Sequence, residues 1–130
     1  MPRASGTRGT PRSDAQRFRS ADRLKKRYEF RQVQLGGRRI HTPHFLLVVR
    51  PNALPNTRLG ITVTKKVGSA VQRNRIKRVV REVFRRNRQL FPASHDVVFI
   101  AKRDAKGIGY DALLSELRRA ARKLQPEASR

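Results

Sequence analysis

The residues whose types and spacing suggest chemistry are concentrated in residues 65–88, which read KKVGSAVQRNRIKRVVREVFRRNR. Lysine and arginine dominate this stretch, and Glu82 is its single acid. Arginine side chains form planar, two-pronged hydrogen bonds to phosphate groups, which lysine contacts only as a point charge. Asn74 lies among these cations and is able to hydrogen-bond a base edge or a sugar hydroxyl. The stretch therefore predicts binding of a polyanion rather than bond-breaking chemistry.

Groups suited to catalysis or metal binding are few in this sequence. The histidines, His41, His44 and His95, follow no metal-ligand spacing, and no glycine-rich phosphate loop is present. The lack of cysteine excludes a thiol nucleophile, a disulfide framework and a cysteine-ligated zinc site. We expect Asp111 and Glu116, on the last helix, to serve solubility. We predict no catalytic residue and no metal site in the protein itself, because an autonomous nuclease needs converging carboxylates for its metal ions.

The overall charge indicates the same class of partner. The chain has 130 residues, with 32 Lys and Arg against 9 Asp and Glu, and a formal net charge of +23. Such a charge attracts polyanions, of which nucleic acid is the first candidate and an anionic membrane surface the second. No apolar run approaches the roughly 20 residues of a membrane span, and no secretory signal follows the basic N-terminus. We therefore predict a cytoplasmic protein that does not contact a membrane.

Local patterns predict helices and strands around the cationic stretch. Residues 20–35 are expected to form a helix, with Ser20 as its N-cap and Gly36-Gly37 as its stop. Residues 38–50, which end in HFLLVVR, are expected to form one strand or a bent pair of strands. Further patterns indicate the alternating strand RLGITVT at 58–64, the continuously apolar strand DVVFIAKR at 96–103 and the helix YDALLSELRRAARKL at 110–124.

A capping box formed by Ser69 and Gln72 predicts that the cationic stretch is a helix from about Ala70 to Arg88. Its apolar arc would consist of Ile76, Val79, Val80, Val83 and Phe84. The opposite face holds Asn74, Lys77, Arg78, Arg81, Arg85 and Arg88, with Arg73, Arg75 and Arg86 at the flanks and Lys65 and Lys66 just upstream. A solvated face normally mixes charges, because like charges at i and i+4 destabilise a helix. We therefore interpret this almost purely positive face as a polyanion-binding surface.

These elements predict an α+β fold, a two-layer sandwich with one small central sheet and helices largely on one face. Residues 1–19 are expected to form a flexible basic tail, residues 20–125 a single RNA-binding domain and residues 126–130 a C-terminal tail. We expect Thr62 and Thr64 to point to the other face of the sheet.

That other face is a candidate binding groove. Leu46 and Val48 point to it if Phe45 and Leu47 point inward, and the first helix is expected to pack at its edge and present Phe30. An aromatic ring among lysines and arginines is typical of grooves that bind single-stranded nucleic acid. The alternative is that Phe30 is an ordinary core residue.

The motif KKVGSAVQRNRIKRVVRE, residues 65–82, resembles the signature of the bacterial ribonuclease P protein subunit, with the triplet Arg73-Asn74-Arg75 at its centre. The preceding RLGITVTKK resembles a strand of that family, RLKKRYEF its first helix and DVVFIAKR its last strand. The resemblance covers about residues 22–124, and it is specific because the motif is long and its parts occur in the family's order.

The resemblance implies a ribosomal protein S5 domain 2-like fold with a left-handed β-α-β crossover around the basic helix. It implies two partners, a catalytic RNA and precursor tRNA, and no obligate protein partner. The RNA subunit would perform the hydrolysis that releases the 5′ leader of the precursor, with Mg²⁺ held by the RNA and the substrate rather than by the protein. The implied contacts with the catalytic RNA are Lys65, Lys66, Arg73, Asn74, Arg75, Lys77, Arg78, Arg81 and Arg85. The implied contacts with the leader are Lys26, Phe30, Leu46, Val48, Thr62 and Thr64.

Two positions depart from the pattern of that family. Gln34 stands where the family often has a second aromatic residue one turn after Phe30, and Val48 stands where some members have a tyrosine. Stacking on the leader would then be weaker here, and charge would carry more of the affinity. The alternative functions are a ribosomal or general RNA-binding protein, an architectural DNA-binding protein and an autonomous nuclease.

Overall fold

Four strands form one mixed sheet, accompanied by three α-helices, in the computed structural model, which describes residues 20–125. The predicted tails, residues 1–19 and 126–130, lie outside the described residues. The strands are β1 (Arg38–His41), β2 (Phe45–Pro51), β3 (Arg58–Thr62) and β4 (His95–Ala101), and the helices are α1 (Arg27–Gly36), α2 (Ala70–Arg86) and α3 (Tyr110–Leu124). Short 3-10 turns occupy Ser20–Asp22, Arg88–Leu90 and Arg103–Ala105. This arrangement is the predicted α+β fold.

The order of strands in the sheet is β1-β2-β4-β3. β1 and β2 form an antiparallel hairpin, so the segment 38–50 is the bent pair rather than one strand. β2 also pairs antiparallel with β4, whereas β3 and β4 are parallel, with Leu59 opposite Val97. Because α2 connects these two parallel neighbours, the basic helix is the crossover of a β-α-β unit.

The main core lies between one face of the sheet and two helices. Strand residues Phe45, Leu47 and Val97 point into it, which confirms the predicted inward face of β2. The predicted apolar arc of α2 is confirmed as well, since four of its five residues are buried in this core and Val79 packs against it. α3 contributes Leu113, Leu117, Ala120 and Leu124.

α1 lies on the opposite face of the sheet and forms a second, smaller core. Leu24 and Val33 pack there against Val48 and Val98, with Phe30 at the margin of the cluster. The expectation that the first helix packs at the edge of this face is wrong, because α1 contacts the two central strands, β2 and β4. β4 is therefore covered on both faces, as its continuous apolar run predicts.

The ends of α2 follow local sequence signals. The Ser69 hydroxyl accepts the Gln72 N–H at 3.2 Å, and the Gln72 side chain accepts the Ser69 N–H at 2.9 Å, which confirms the capping box. The helix ends at Arg86, two residues before the predicted end, where Asn87 donates its N–H to the Val83 carbonyl at 3.0 Å.

The predicted start of the first helix at Ser20 is wrong. Arg23 forms an isolated parallel bridge with Leu59, and the Leu24 N–H donates to the Leu59 carbonyl at 2.9 Å. This pairing with β3 holds the chain extended, so that α1 begins only at Arg27. The Glu29 carboxylate accepts the N–H groups of the two preceding lysines at 3.0 and 3.1 Å and satisfies the helix start.

Glu116 does not serve solubility, because it is only 2% exposed. Its carboxylate lies 2.6 Å from His44 Nδ1 and accepts the His44 backbone N–H at 2.9 Å, which ties α3 to the turn between β1 and β2. The pKa of Glu116 lies below 4.5: burial alone raises it, but hydrogen bonds from Thr42 and His44 lower it by more. The sequence shows only that Glu116 interrupts the apolar side of a helix, and not that a hydrogen-bond donor faces it.

Candidate nucleic-acid interface

An open groove of about 530 Å³ runs between α1 and the edge strand β3. One wall is formed by residues of α1 and the segment before it, and the other wall by the end of β3. The described residues that line the groove are Lys25, Arg27, Phe30, Arg31, Gln34, Ile61 and Thr62. The groove is thus lined by one aromatic ring, three cations and a polar strand end.

The ring of Phe30 rests on the backbone of β3. A Cβ atom placed on Gly60 would lie 2.6 Å from Phe30 Cε2 and 2.9 Å from Leu24 Cδ1, so a side chain at this position would displace the ring. Phe30 itself is partly exposed toward the groove. The glycine therefore allows an aromatic side chain to approach the strand backbone closely while part of the ring stays accessible to a ligand.

A set of ion pairs fixes α1 to the sheet. The Arg58 guanidinium donates to both carboxylate oxygens of Asp96 at 2.9 and 2.8 Å and to Glu29 at 3.0 Å. The hydrogen bonds to Asp96, despite burial, raise the pKa of Arg58, and the contact with Glu29 adds to this. Hydrogen bonds from the N–H groups of Lys26 and Lys25 lower the pKa of Glu29, burial opposes them, and Arg58 lowers it further. Arg58 thus joins the first turn of α1 to the start of β3 and β4.

The predicted leader contacts fall into different places. Phe30 and Thr62 line the groove. Lys26 is exposed at the N-cap of α1, and Thr64 is exposed just beyond the end of β3. Leu46 is partly buried against the second core.

Val48 is completely buried and does not line the groove. α1 and the turn at its C-terminal end cover this residue. Gly37 in that turn packs so closely on Val48 that an added Cβ atom would lie only 2.6 Å from Val48 Cγ1. Val48 packs beneath α1 and does not contact a ligand in the groove. A substitution at this position would therefore change ligand binding only by moving α1.

Three cations of the groove were missed by the sequence analysis. Lys25, Arg27 and Arg31 all line it, although none was among the predicted leader contacts. Arg27 and Arg31 are four residues apart and share one helix face with Phe30 and Gln34, which is a periodic signal. The predicted helix already contained this spacing, but the sequence alone does not show which face of the helix borders the groove.

The basic surface of α2 is more varied than the helix wheel predicts. Asn74, Arg75 and Arg78 are exposed, as are Lys65 and Lys66 in the preceding turn, whereas Arg73, Lys77 and Arg81 are partly buried. The Arg75 guanidinium also donates to the Ile108 carbonyl at 2.8 Å, and Arg73 Nε donates to the Gly68 carbonyl at 3.2 Å. These two contacts fix the guanidinium groups at the start of the helix while leaving the other donors of each group available.

Two arginines predicted on this face are held by acids. Arg85 is 6% exposed, and its guanidinium donates to Glu82 at 2.7 and 3.1 Å. Arg88 forms an ion pair of 3.0 Å with Asp22. Because their charges are already matched, we leave Arg85 and Arg88 out of the RNA-binding surface proposed below.

Arg81 lies where its own charge is disfavoured. Burial, together with the charge of Arg23 nearby, lowers the pKa of Arg81. A phosphate group placed between two such guanidinium groups would relieve their repulsion. An anionic partner at α2 would thus stabilise the charged form of Arg81.

Residues 20–125 contain neither a cluster of metal-ligating side chains nor a membrane-spanning helix. In this part of the chain, no three His, Cys, Asp or Glu side chains are placed to hold a metal ion. None of the helices described here is long and apolar enough to cross a lipid bilayer.

The chain is similar to ribonuclease P proteins. The model of the family described as Ribonuclease P matches residues 18–125. The Ribonuclease P protein component of Syntrophus aciditrophicus (strain SB) is 46% identical over 100 residues, which are 77% of this chain and 84% of that protein. That of Citrifermentans bemidjiense is 43% identical over 108 residues, which are 83% and 92% of the two chains.

Solved structures agree with these sequence relatives. The RNase P protein of Staphylococcus aureus superimposes with a TM-score of 0.70 at 32% identity, over 77% of this chain and 92% of that one. The RNase P protein of Thermotoga maritima superimposes with a TM-score of 0.70 at 30% identity, over 78% and 96% of the two chains.

Proposed function

The chain belongs to the ribonuclease P protein family, and we propose that it is the protein subunit of a cytoplasmic ribonucleoprotein that removes the 5′ leader of precursor tRNA. In this proposal the protein binds two RNAs at once. One surface binds the catalytic RNA subunit, and the groove binds the leader of the substrate. The observation that carries the proposal is the separation of a basic helix on one face of the sheet from an aromatic, cationic groove on the other.

The basic surface of α2 is the proposed site for the RNA subunit. Its exposed and partly buried cations form few contacts with acids of the domain, so phosphates would supply the missing counter-charge. Asn74, exposed among them, adds a donor and an acceptor for a base edge or a ribose hydroxyl. The residues proposed to contact the RNA subunit are Lys65, Lys66, Arg73, Asn74, Arg75, Lys77, Arg78 and Arg81.

The groove is the proposed site for the single-stranded leader. Phe30 offers a ring for one base to stack on, and this interaction tolerates any base because every base has an aromatic face. Lys25, Arg27 and Arg31 lie along the same wall and suit the phosphates on either side of that base. Thr62 adds a hydroxyl on the opposite wall. These residues position a strand without reading much of its sequence.

The protein is proposed to position the substrate and not to cleave it. Mg²⁺ is the metal suited to phosphodiester hydrolysis of this kind, where it activates water and stabilises the leaving oxygen. The donor set of residues 20–125 does not fit it, because five of the seven acids there are engaged by arginine or His44, and no three metal-ligating side chains of this part of the chain are grouped. We therefore assign the metal ions to the RNA subunit and the substrate.

Reconstitution tests this function. The full-length protein is mixed with a bacterial ribonuclease P RNA and a precursor tRNA at low Mg²⁺, and leader release is compared with RNA alone and with protein alone. The proposal predicts fast release only when both are present. Release by protein alone would indicate an autonomous nuclease. Tight RNA binding without any acceleration would indicate a general RNA-binding protein.

A further inference from the structure

A second cationic surface lies on the C-terminal half of α3. It consists of Arg118, Arg119, Arg122 and Lys123, all of them exposed, and is called the α3 surface below. Among residues 20–125, no acid forms an ion pair with any of these four side chains.

The acids of α3 do not balance this surface. Glu116 is buried against His44, on the side of the helix that faces the sheet. Asp111 is exposed in the first turn of the helix, seven residues before Arg118, and lies about 10 Å away along the helix axis. The exposed second half of α3 therefore carries positive charge alone.

Stabilisation of the helix does not account for these cations. Lysine and arginine in a last turn normally interact with the free carbonyl groups there. In this helix, Arg38 from β1 already binds the carbonyls, since its guanidinium donates to Lys123 O at 2.7 Å and to the carbonyls of Leu124 and Gln125 at 3.2 Å each. Moreover, the pairs Arg118–Arg122 and Arg119–Lys123 place like charges at i and i+4, which destabilises a helix.

The α3 surface belongs to the same layer of the fold as α2. Arg75 of α2 donates to the Ile108 carbonyl just before α3, and the Gln125 side chain just after α3 donates to the Leu90 carbonyl at 3.1 Å. Tyr110 at the start of α3 also accepts a hydrogen bond from the Asn87 side chain at 3.0 Å, so the two helices pack against each other on one face of the sheet. The groove lies on the other face of the sheet, so one rigid RNA is able to touch both helices without entering the groove.

We propose that the α3 surface is a second binding site for the RNA subunit, which it contacts through phosphate groups. This inference rests on the proposed function, because it takes the RNA bound by α2 as its partner. The other exposed residues of α3 are Asp111, Ala112 and Ser115, and its one aromatic residue, Tyr110, lies partly buried at the opposite end of the helix, so the α3 surface offers no ring for stacking on unpaired bases. Contacts made only by cations are insensitive to sequence and suit the backbone of a folded RNA.

The test compares the full-length protein with the double variant Arg118→Gln, Arg122→Gln in binding to a bacterial ribonuclease P RNA over a range of salt concentrations. The loss of two phosphate contacts makes the slope of log Kd against log salt smaller by about 1.5, and weakens binding roughly 10- to 50-fold at 0.1 M salt. The matched control is Arg103→Gln, Lys106→Gln, which removes two exposed cations from the loop before α3. Far-UV circular dichroism and thermal melting check that each variant folds.

Three outcomes decide the inference. A weakened Kd and a smaller slope in the α3 variant, with the control close to wild type, support it, as does recovery of binding in Arg118→Lys, Arg122→Lys. Equal weakening in the control and the α3 variant overturns it, because the effect then reflects net charge alone. Weaker binding of an isolated leader oligonucleotide with unchanged affinity for the RNA subunit also overturns it. If the wild-type protein does not bind the RNA subunit at all, the proposed function itself fails, which is a distinguishable result.

Discussion

The ring of Phe30 lies directly over Gly60, where a Cβ atom would come within 2.6 Å of Phe30 Cε2. This contact sets the depth of the groove, because a residue larger than glycine in β3 lifts the ring or the helix that carries it. Phe30, the single aromatic side chain lining the groove, can occupy this position because Gly60 beneath it has no side chain.

Replacement of this glycine tests whether the ring position matters. Gly60→Ala is expected to weaken binding of a single-stranded leader by up to about 1–3 kcal/mol, the contribution of one stacked base, and to leave binding of the RNA subunit unchanged. Gly109→Ala is the matched control, since no atom lies within 4 Å of its added Cβ. Equal leader affinity in Gly60→Ala and wild type would show that the ring does not bind the leader.

Replacement of Gln34 by an aromatic residue is expected to increase the affinity for the leader. It lines the groove one turn after Phe30, so Gln34→Phe adds a second ring and is expected to tighten leader binding by about 1–3 kcal/mol, or 5- to 150-fold in Kd. Gln32→Phe places the same ring on an exposed position of α1 outside the lining residues and is expected to have no such effect. Fluorescence titration with a labelled leader oligonucleotide measures the Kd of both variants. Identical Kd values would argue against binding of the leader in this groove.

Arg58 is expected to control the position of α1. Arg58→Gln removes the ion pairs with Glu29 and Asp96, which are partly exposed, so we expect a loss of about 1–3 kcal/mol in the free energy of unfolding. Urea denaturation measures this loss. Leader affinity is expected to fall at the same time, because α1 carries most of the groove residues. If Arg58→Gln is destabilised but binds the leader with wild-type affinity, the ion pairs of Arg58 do not determine the geometry of the groove.

The contact of the buried Glu116 with the partly exposed His44 predicts a pH dependence of stability. The folded pKa of Glu116 is below the unfolded value of 4.5, so its ionised form stabilises the fold above pH 4.5 and this contribution is lost as the pH falls through the folded pKa. Glu116→Gln is expected to cost about 1–3 kcal/mol at pH 7 and progressively less below pH 4.5. Urea denaturation of both proteins at pH 7 and pH 3.5 measures the difference, and a cost that grows on acidification would contradict the assignment.

Anions are expected to stabilise the free protein. The net charge of +23 opposes compaction, and the α2 and α3 surfaces concentrate that repulsion on two neighbouring helices. Sulfate or phosphate is expected to raise the melting temperature more than chloride at equal ionic strength, because bound anions favour the folded state. A melting temperature indifferent to the type of anion would argue against this account of the charge.

Features set by neighbouring residues could be predicted from the sequence. The Ser69–Gln72 capping box, the apolar arc of α2 and the strand predicted at 96–103 depend on spacing within one segment. The structure confirms the first two and places the strand at His95–Ala101. The family resemblance also directed attention to Phe30 and Thr62, which line the groove.

Features set by distant contacts could not be predicted in this way. α1 begins at Arg27 because residues 23 and 24 pair with Leu59, and Glu116 is buried because a turn some seventy residues earlier presents His44 to it. The groove cations were missed for the same reason, since which face of α1 borders the groove depends on how the helix packs on the sheet.

The most direct test of the central claim, that this protein links an RNA subunit to the leader of its substrate, compares substrates that differ only in the leader. Affinities of the RNA subunit for mature tRNA and for precursor tRNA are measured with and without the protein. We predict that the protein tightens binding of the precursor and leaves that of mature tRNA nearly unchanged. Equal tightening of both substrates would contradict the claim, because the groove would then contribute nothing to recognition of the leader.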